Sequence, residues 1–159
     1  WVNLPASLKM TAPAYQDLRA EANAIEQRPG VTVRVIAGLL FGLNGPGSTH
    51  TPISYAHLTL EAGATATTAL PADHRVLVYP MTGAVSVGDT RVDEGIMAVV
   101  DSAELTLHGI ASHSEVIVLT GQPIGEPVAR YGPFVMNTEH ELRQAFSDFD
   151  RGLFGVPLD

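Results

Sequence analysis

One feature constrains this chain above all others: a two-residue hydrophobic period that keeps returning. Val31, Val33 and Val35 alternate with Thr32 and Arg34, and Ala56, Leu58 and Leu60 fall on the face opposite Ile53, Tyr55 and His57. Side chains point to alternate faces of a strand, so this pattern builds half-buried strands rather than helices. Residues 75–79, 84–87, 90–92, 96–100, 104–108 and 115–119 are further strand candidates. Val87-Gly88-Asp89-Thr90 carries the turn chemistry of a tight hairpin, because Gly accepts positive φ. Short strands spaced about 8–12 residues apart predict an all-β sandwich or barrel.

Composition narrows what such a barrel can do. The 159 residues suit one domain, and 45% apolar with 16% charged residues supply a core without the charge density of a disordered chain. Seventeen acidic against nine basic residues give a formal charge of −8. The few Arg are scattered, so direct nucleic-acid binding is not expected. With no Cys there are no disulfides, thiolate metal sites or cysteine nucleophiles. No apolar run approaches about 18 residues, so no membrane span is expected. The opening Trp1-Val2-Asn3-Leu4-Pro5 lacks an initiator Met, a basic region and an apolar region, and reads as the tail of a strand rather than a signal peptide. The expectation is a fragment or domain of a longer, cytoplasmic protein.

Two helices are predicted. Residues 15–24 form a short one, stopped by Arg28-Pro29-Gly30. The other begins at Thr138-Glu139-His140-Glu141, a capping box, and carries Leu142, Phe146, Phe149 and Leu153 at helical spacing. That stripe must pack either on this chain's own barrel or on a second domain. Other constellations carry less chemistry. Gly42-Leu43-Asn44-Gly45-Pro46-Gly47 has no Lys-Ser/Thr after it and makes a poor phosphate loop. Ser7, Ser48 and Ser114 lack a nucleophile elbow, and Asp93-Glu94, Asp148 and Asp150 read as solvated charge.

The segment Gly125-Glu126-Pro127-Val128-Ala129-Arg130-Tyr131-Gly132-Pro133-Phe134-Val135-Met136-Asn137-Thr138 is long and compositionally unusual. It resembles the C-terminal signature of the pirin family. Leu4-Pro5, Lys9-Met10-Thr11, Pro13 and Tyr15-Gln16 resemble the linker after the pirin N-terminal domain. Val35-Ile36-Ala37-Gly38, Thr51-Pro52-Ile53, Tyr55 and Gly63-Ala64 continue the match, from Trp1 to about Gly155. The resemblance implies a cupin-type antiparallel β-barrel (a double-stranded β-helix) with a C-terminal α-helix. It divides the chain into a linker or entry segment at 1–30, a cupin barrel at 31–137, and a helix and tail at 138–159. It also implies a bicupin, with iron held by an N-terminal cupin lobe that precedes Trp1.

Cupin metal sites use His-x-His on one strand face, a Glu or His further along, and a His on a later strand. Gly63 and Gly83 stand at the motif's separation, and Tyr79 sits where it has an aromatic. In that alignment the ligand slots hold Ala69, Pro71 and Val76, none of which coordinates a metal. Gly95 aligns the second motif loosely, with Thr106 at its His position. The expectation is no catalytic residue, no cofactor and no metal in this chain. His50, His57 and His74 form a weak fallback set, and His108 and His113 are candidates to meet across a hairpin turn. Arg130-Tyr131-Gly132-Pro133-Phe134-Val135-Met136 reads as a rigid extended crossover. Arg130, Tyr131, Phe134 and Met136 are also candidates for an interface with the sister lobe.

The resemblance thus implies a metal-free lobe with a structural and interaction role beside an iron-binding lobe. The alternative is part of a quercetin (flavonol) 2,3-dioxygenase, giving substrate or inter-domain contacts but no metal ligand. The implied partners are the N-terminal cupin domain and regulatory proteins, since family members include transcriptional regulators. The chain alone is not expected to be an enzyme, and whether the parent is one stays open.

Overall fold

The computed structural model describes residues 1–12 and 14–154; Pro13 and residues 155–159, including Gly155, lie outside the described residues. In chain order the strands are β1 (Ala24–Arg28), β2 (Val31–Ala37), β3 (Leu39–Leu40), β4 (Leu43–Asn44), β5 (Ile53–Leu60), β6 (Thr65–Ala69) and β7 (Arg75–Thr82). Then come β8 (Ala84–Val87), β9 (Thr90–Asp93), β10 (Ala98–Val100), β11 (Glu104–Gly109), β12 (Ser114–Gly121), β13 (Ala129–Tyr131), β14 (Phe134–Met136) and the helix α1 (Glu139–Asp150). They fall into two compact units, Gln16–Pro123 and Trp1–Tyr15 with Ile124–Asp159.

In the larger unit, the order β1-β2-β5-β12-β7-β10 makes a six-stranded antiparallel sheet, and β6-β11-β8-β9 makes a four-stranded one. The period-two pattern explains their shared core. Val31, Val33 and Val35 on β2 and Ala56, Leu58 and Leu60 on β5 are buried. They join Val76, Val78, Val116 and Val118 from the same sheet and Ala66, Val85, Leu105 and Leu107 from the other. Burying each Val or Leu contributes roughly 1.5–3 kcal/mol, which makes this interior the main source of stability. The hairpin predicted at Val87-Gly88-Asp89-Thr90 forms, with Val87 opposite Thr90 and Gly88 at φ +55°. Pro80 lies on β7 inside the sheet, beside the register shift between Glu115 and Val116, where the ladder is already interrupted.

Two sequence expectations fail here for local reasons. The helix at 15–24 is not formed: a single 3-10 turn covers Ala20–Ala22, and Ala24 opens β1. Arg28-Pro29-Gly30 stops no helix but turns β1 into β2, with Arg28 opposite Val31 and Gly30 at φ +71°. Five antiparallel pairs to β2 outweigh a weak helical preference. The extended crossover at 130–136 is instead the β13–β14 hairpin, with Tyr131 opposite Phe134. Gly132 takes φ +55° and the Pro133 ring fixes its own φ, so the Gly-Pro pair forms a two-residue turn.

In the smaller unit, the Thr138 hydroxyl accepts from the Glu141 N–H at 3.2 Å, and the Glu141 carboxylate accepts from the Thr138 N–H at 2.7 Å. The Thr138 hydroxyl also donates to Glu141, which holds that carboxyl below the ordinary glutamate value. The capping box is therefore formed as its sequence predicts. The apolar stripe is only half buried. Leu142 and Ala145 are buried, whereas Phe149 is 60% exposed and Leu153, beyond the helix end, 58%. Phe134 on the hairpin collects the aromatic rings, meeting Phe146 edge-on at 4.9 Å, Phe149 at 5.9 Å and Phe154 at 5.7 Å.

Candidate functional site

The interior of the two-sheet unit is where a cupin metal would sit. Strand alternation turns Ala69 outward, and Pro71 beyond the strand end is exposed as well. The inward positions are Ala66, Thr68 and Leu70, the last two one residue before the aligned ones. Val76 does point inward and is fully buried. Thr106 faces outward, its hydroxyl 3.1 Å from that of Thr67, while Leu105 and Leu107 fill the interior.

Among the described residues, the buried polar side chains are all hydroxyls: Ser54, Thr68, Ser114 and Thr120. Each already has a neighbour. Thr68 accepts from the Phe41 N–H at 3.0 Å and donates to the Ala69 carbonyl at 3.2 Å. Ser114 binds both backbone groups of Ala84, Ser54 donates to the Leu39 carbonyl, and Thr120 meets the His74 Nδ1 at 3.1 Å. Iron needs imidazole or carboxylate donors converging on one point. The inward residues offer none, so this interior does not fit a metal.

The fallback histidines do not converge either. His50 is exposed in the loop before β5, His57 lies on the outward face of β5, and His74 is tied to Thr120. No group of three or more metal-ligating side chains forms among the described residues. His108 and His113 take separate partners, the Thr65 hydroxyl at 2.8 Å and a Glu115 oxygen at 2.8 Å.

His57 belongs to a polar chain that sequence spacing does not reveal. The Arg34 guanidinium lies 3.1 Å from its Nδ1. Arginine only donates, so Nδ1 is the acceptor and the proton sits on Nε2, which faces Glu115. Arg34, His57 and Glu115 come from β2, β5 and β12, three neighbouring strands, so only the sheet register brings them together. On one side of this chain the outward face carries an apolar cluster, Leu77 and Tyr79 beside Leu119 and Ile117 with Tyr55 opposite Leu119, while Thr32, Thr59 and Arg75 are its further polar members. At its edge Val99, paired with Leu77, is 62% exposed. Antiparallel sheets with one wet face alternate cleanly, whereas runs apolar at both parities belong to strands covered on both sides.

The four interface candidates separate into two pairs. Phe134 and Met136 are half-buried, and Phe134 is engaged in the aromatic cluster. Arg130 and Tyr131 are exposed and line an open groove of about 680 Å³ between the hairpin and α1.

The family described as Pirin C-terminal cupin domain matches residues 55–155. A pirin-like protein of Caulobacter vibrioides is 38% identical over 157 residues, covering 97% of this chain and 57% of that protein. Human pirin is 33% identical over 156 residues, covering 94% of this chain and 53% of its own length. A crystal structure of quercetin 2,3-dioxygenase from Acinetobacter baumannii superposes with a TM-score of 0.91 at 37% identity, covering 99% of this chain and 56% of that one. The chain thus spans about half the length of the curated relatives it matches. Among the described residues no helix is long and apolar enough to cross a membrane.

Proposed function

We propose, from the premise that this chain belongs to the pirin C-terminal cupin domain family, that it is a metal-free cupin lobe with a structural and interaction role. Its partner in this reading is an N-terminal cupin lobe of the same protein, which carries the iron. The observation that carries the proposal is the filled interior: Thr68, Leu70 and Val76, at or next to the aligned ligand slots, are buried, and none is an imidazole or a carboxylate. An apolar cluster on the outward face of the six-stranded sheet supports it, because Leu77, Tyr79, Ile117 and Leu119 suit a surface that another protein layer covers.

A second reading is favoured by the likeness to a protein named quercetin 2,3-dioxygenase. There the lobe belongs to a flavonol dioxygenase and lends substrate or inter-domain contacts, while metal and oxygen chemistry stay with residues outside this chain. Both readings make the same demand of the isolated chain. Purified without a histidine tag and dialysed against a chelator, it retains no stoichiometric iron and gives no quercetin loss above a metal-only blank. One equivalent of retained iron, lost on substituting His57 or His74, would overturn the lobe reading.

A further inference from the structure

We infer that the groove between the β13–β14 hairpin and α1 is a binding site for an aromatic carboxylate. The inference uses neither the cupin interior nor the six-stranded sheet, the two features on which the lobe reading rests. The groove's volume of about 680 Å³ lies within the range of small-molecule clefts. Val128 and Tyr131 line it from the hairpin side and Phe146 from the helix. Tyr131, 71% exposed, stands 5.7 Å from Phe146 at an interplanar angle of 57°, so two tilted rings form one apolar wall. Phe146 is held from behind by its edge-on contact with Phe134. A flat ring finds a preformed wall there, at little ordering cost.

Charge selects the acid group. Arg130 and Arg143 both line the groove, one from β13 and one from α1, against one lining carboxylate, Glu139. This chain carries 17 acidic residues, yet among the described residues no carboxylate lies within 4.0 Å of Arg130. Arg143 reaches only Glu139, at 3.9 Å between exposed side chains, which is a weak pair that a ligand can replace. A guanidinium presents a planar fork of donors matched to a carboxylate, and it also stacks on rings. A further polar group is unmatched. Asn137 lines the groove, its Nδ2 donates to Glu126 at 2.8 Å and to the Pro127 carbonyl at 3.0 Å, and its buried Oδ1 has no donor. That oxygen is closed to solvent, so recognition of the ligand rests on the two guanidinium groups and the ring wall.

The test is titration of the 159-residue chain with 4-hydroxybenzoate, 4-hydroxybenzyl alcohol and cyclohexanecarboxylate, followed by NMR with the aromatic resonances assigned. The expected result is saturable shifts at Tyr131 and Phe146 for 4-hydroxybenzoate, with a Kd at or below about 1 mM. The uncharged alcohol and the non-aromatic acid bind at least about tenfold more weakly. Arg130→Ala weakens 4-hydroxybenzoate by about tenfold or more, and Arg130→Lys falls between, because an ammonium lacks the bidentate fork. A thermal melt shows that each variant is folded. Absence of saturation, equal binding of the alcohol, or an unchanged Kd in folded Arg130→Ala overturns the inference.

Discussion

Replacing Thr68 by Val asks whether the inward position of β6 serves structure. The two side chains share a shape, so the change swaps a hydroxyl for a methyl group at nearly constant volume. The hydroxyl holds the N–H of Phe41, which with Gly42 forms the turn from β3 to β4. Both turn residues have positive φ, +52° and +76°, as a type I′ turn requires. For Phe41 that backbone carries strain of about 1–2 kcal/mol, and its side chain is buried. Without the Thr68 hydroxyl the buried N–H has no acceptor, a penalty of about 1–3 kcal/mol. The new methyl group returns at most about 0.8 kcal/mol. The expected net loss is therefore about 1–2 kcal/mol, or about 2–4 °C of melting temperature per kcal/mol for a chain of this size. Urea denaturation measures the loss, and hydrogen exchange at the Phe41 amide locates it. Thr68→Ser keeps the bond and leaves that amide protected. Wild-type stability in Thr68→Val, with the Phe41 amide still slow to exchange, would refute the reasoning.

Gly63 and Gly83 share positive φ, +78° and +75°, but only Gly83 is crowded: a Cβ there would lie 2.4 Å from the His113 carbonyl oxygen. Gly63→Ala should lose only about 1–2 kcal/mol of backbone strain, and Gly83→Ala clearly more; equal losses in denaturation would show that crowding plays no part. The Glu141 carboxyl sits below the ordinary value because the Thr138 hydroxyl donates to it. Its contribution is thus full above the unfolded-state value of 4.5 and fades as pH falls through the lower folded value. Glu141→Gln should flatten that part of the acid limb of a pH–stability curve, and an unchanged limb would remove the carboxylate from the account. Phe146→Ala deletes a half-buried ring with an edge-on partner. The expected loss is about 1.5–3 kcal/mol, and a value below about 0.5 kcal/mol would show that the aromatic cluster does not hold the helix.

The fold was legible wherever a local pattern and its tertiary use agree. Val31, Val33 and Val35 announce β2 because inward and outward positions alternate without exception, and Thr138 with Glu141 announces α1 because both bonds of the capping box are local. Failures came where a turn signal admits two outcomes. Pro29-Gly30 ends a helix as readily as it turns a hairpin, and only the pairing partner decides. Gly132-Pro133 between Tyr131 and Phe134 was a readable turn signal, but a three-residue strand on each side gives little alternation to notice.

The site was less legible for a physical reason that β6 makes plain. Motif spacing counts residues, whereas a ligand position is defined by which face a side chain takes, and a one-residue offset reverses the face. Counting from Gly63 selects Ala69 and Pro71, which look outward; the strand itself turns Thr68 and Leu70 inward. Neither register carries an imidazole or a carboxylate. The Arg34–His57–Glu115 chain was illegible on the same principle, since its members stand 23 and 58 positions apart and meet only through the β2–β5–β12 register. This polar chain bears on the lobe reading. Arg34 and Glu115 flank His57 on the same sheet face as Leu77, Tyr79, Ile117 and Leu119, so covering that part of the face leaves neither the guanidinium nor the carboxylate alone. Removing Glu115 leaves Arg34 and His57 facing the covering layer unanswered. If a second lobe covers the face, Glu115→Ala therefore weakens docking more than it weakens the isolated chain, where water replaces the lost carboxylate. Equal losses in the isolated chain and in the longer protein, measured by denaturation of each, would place the docking surface elsewhere.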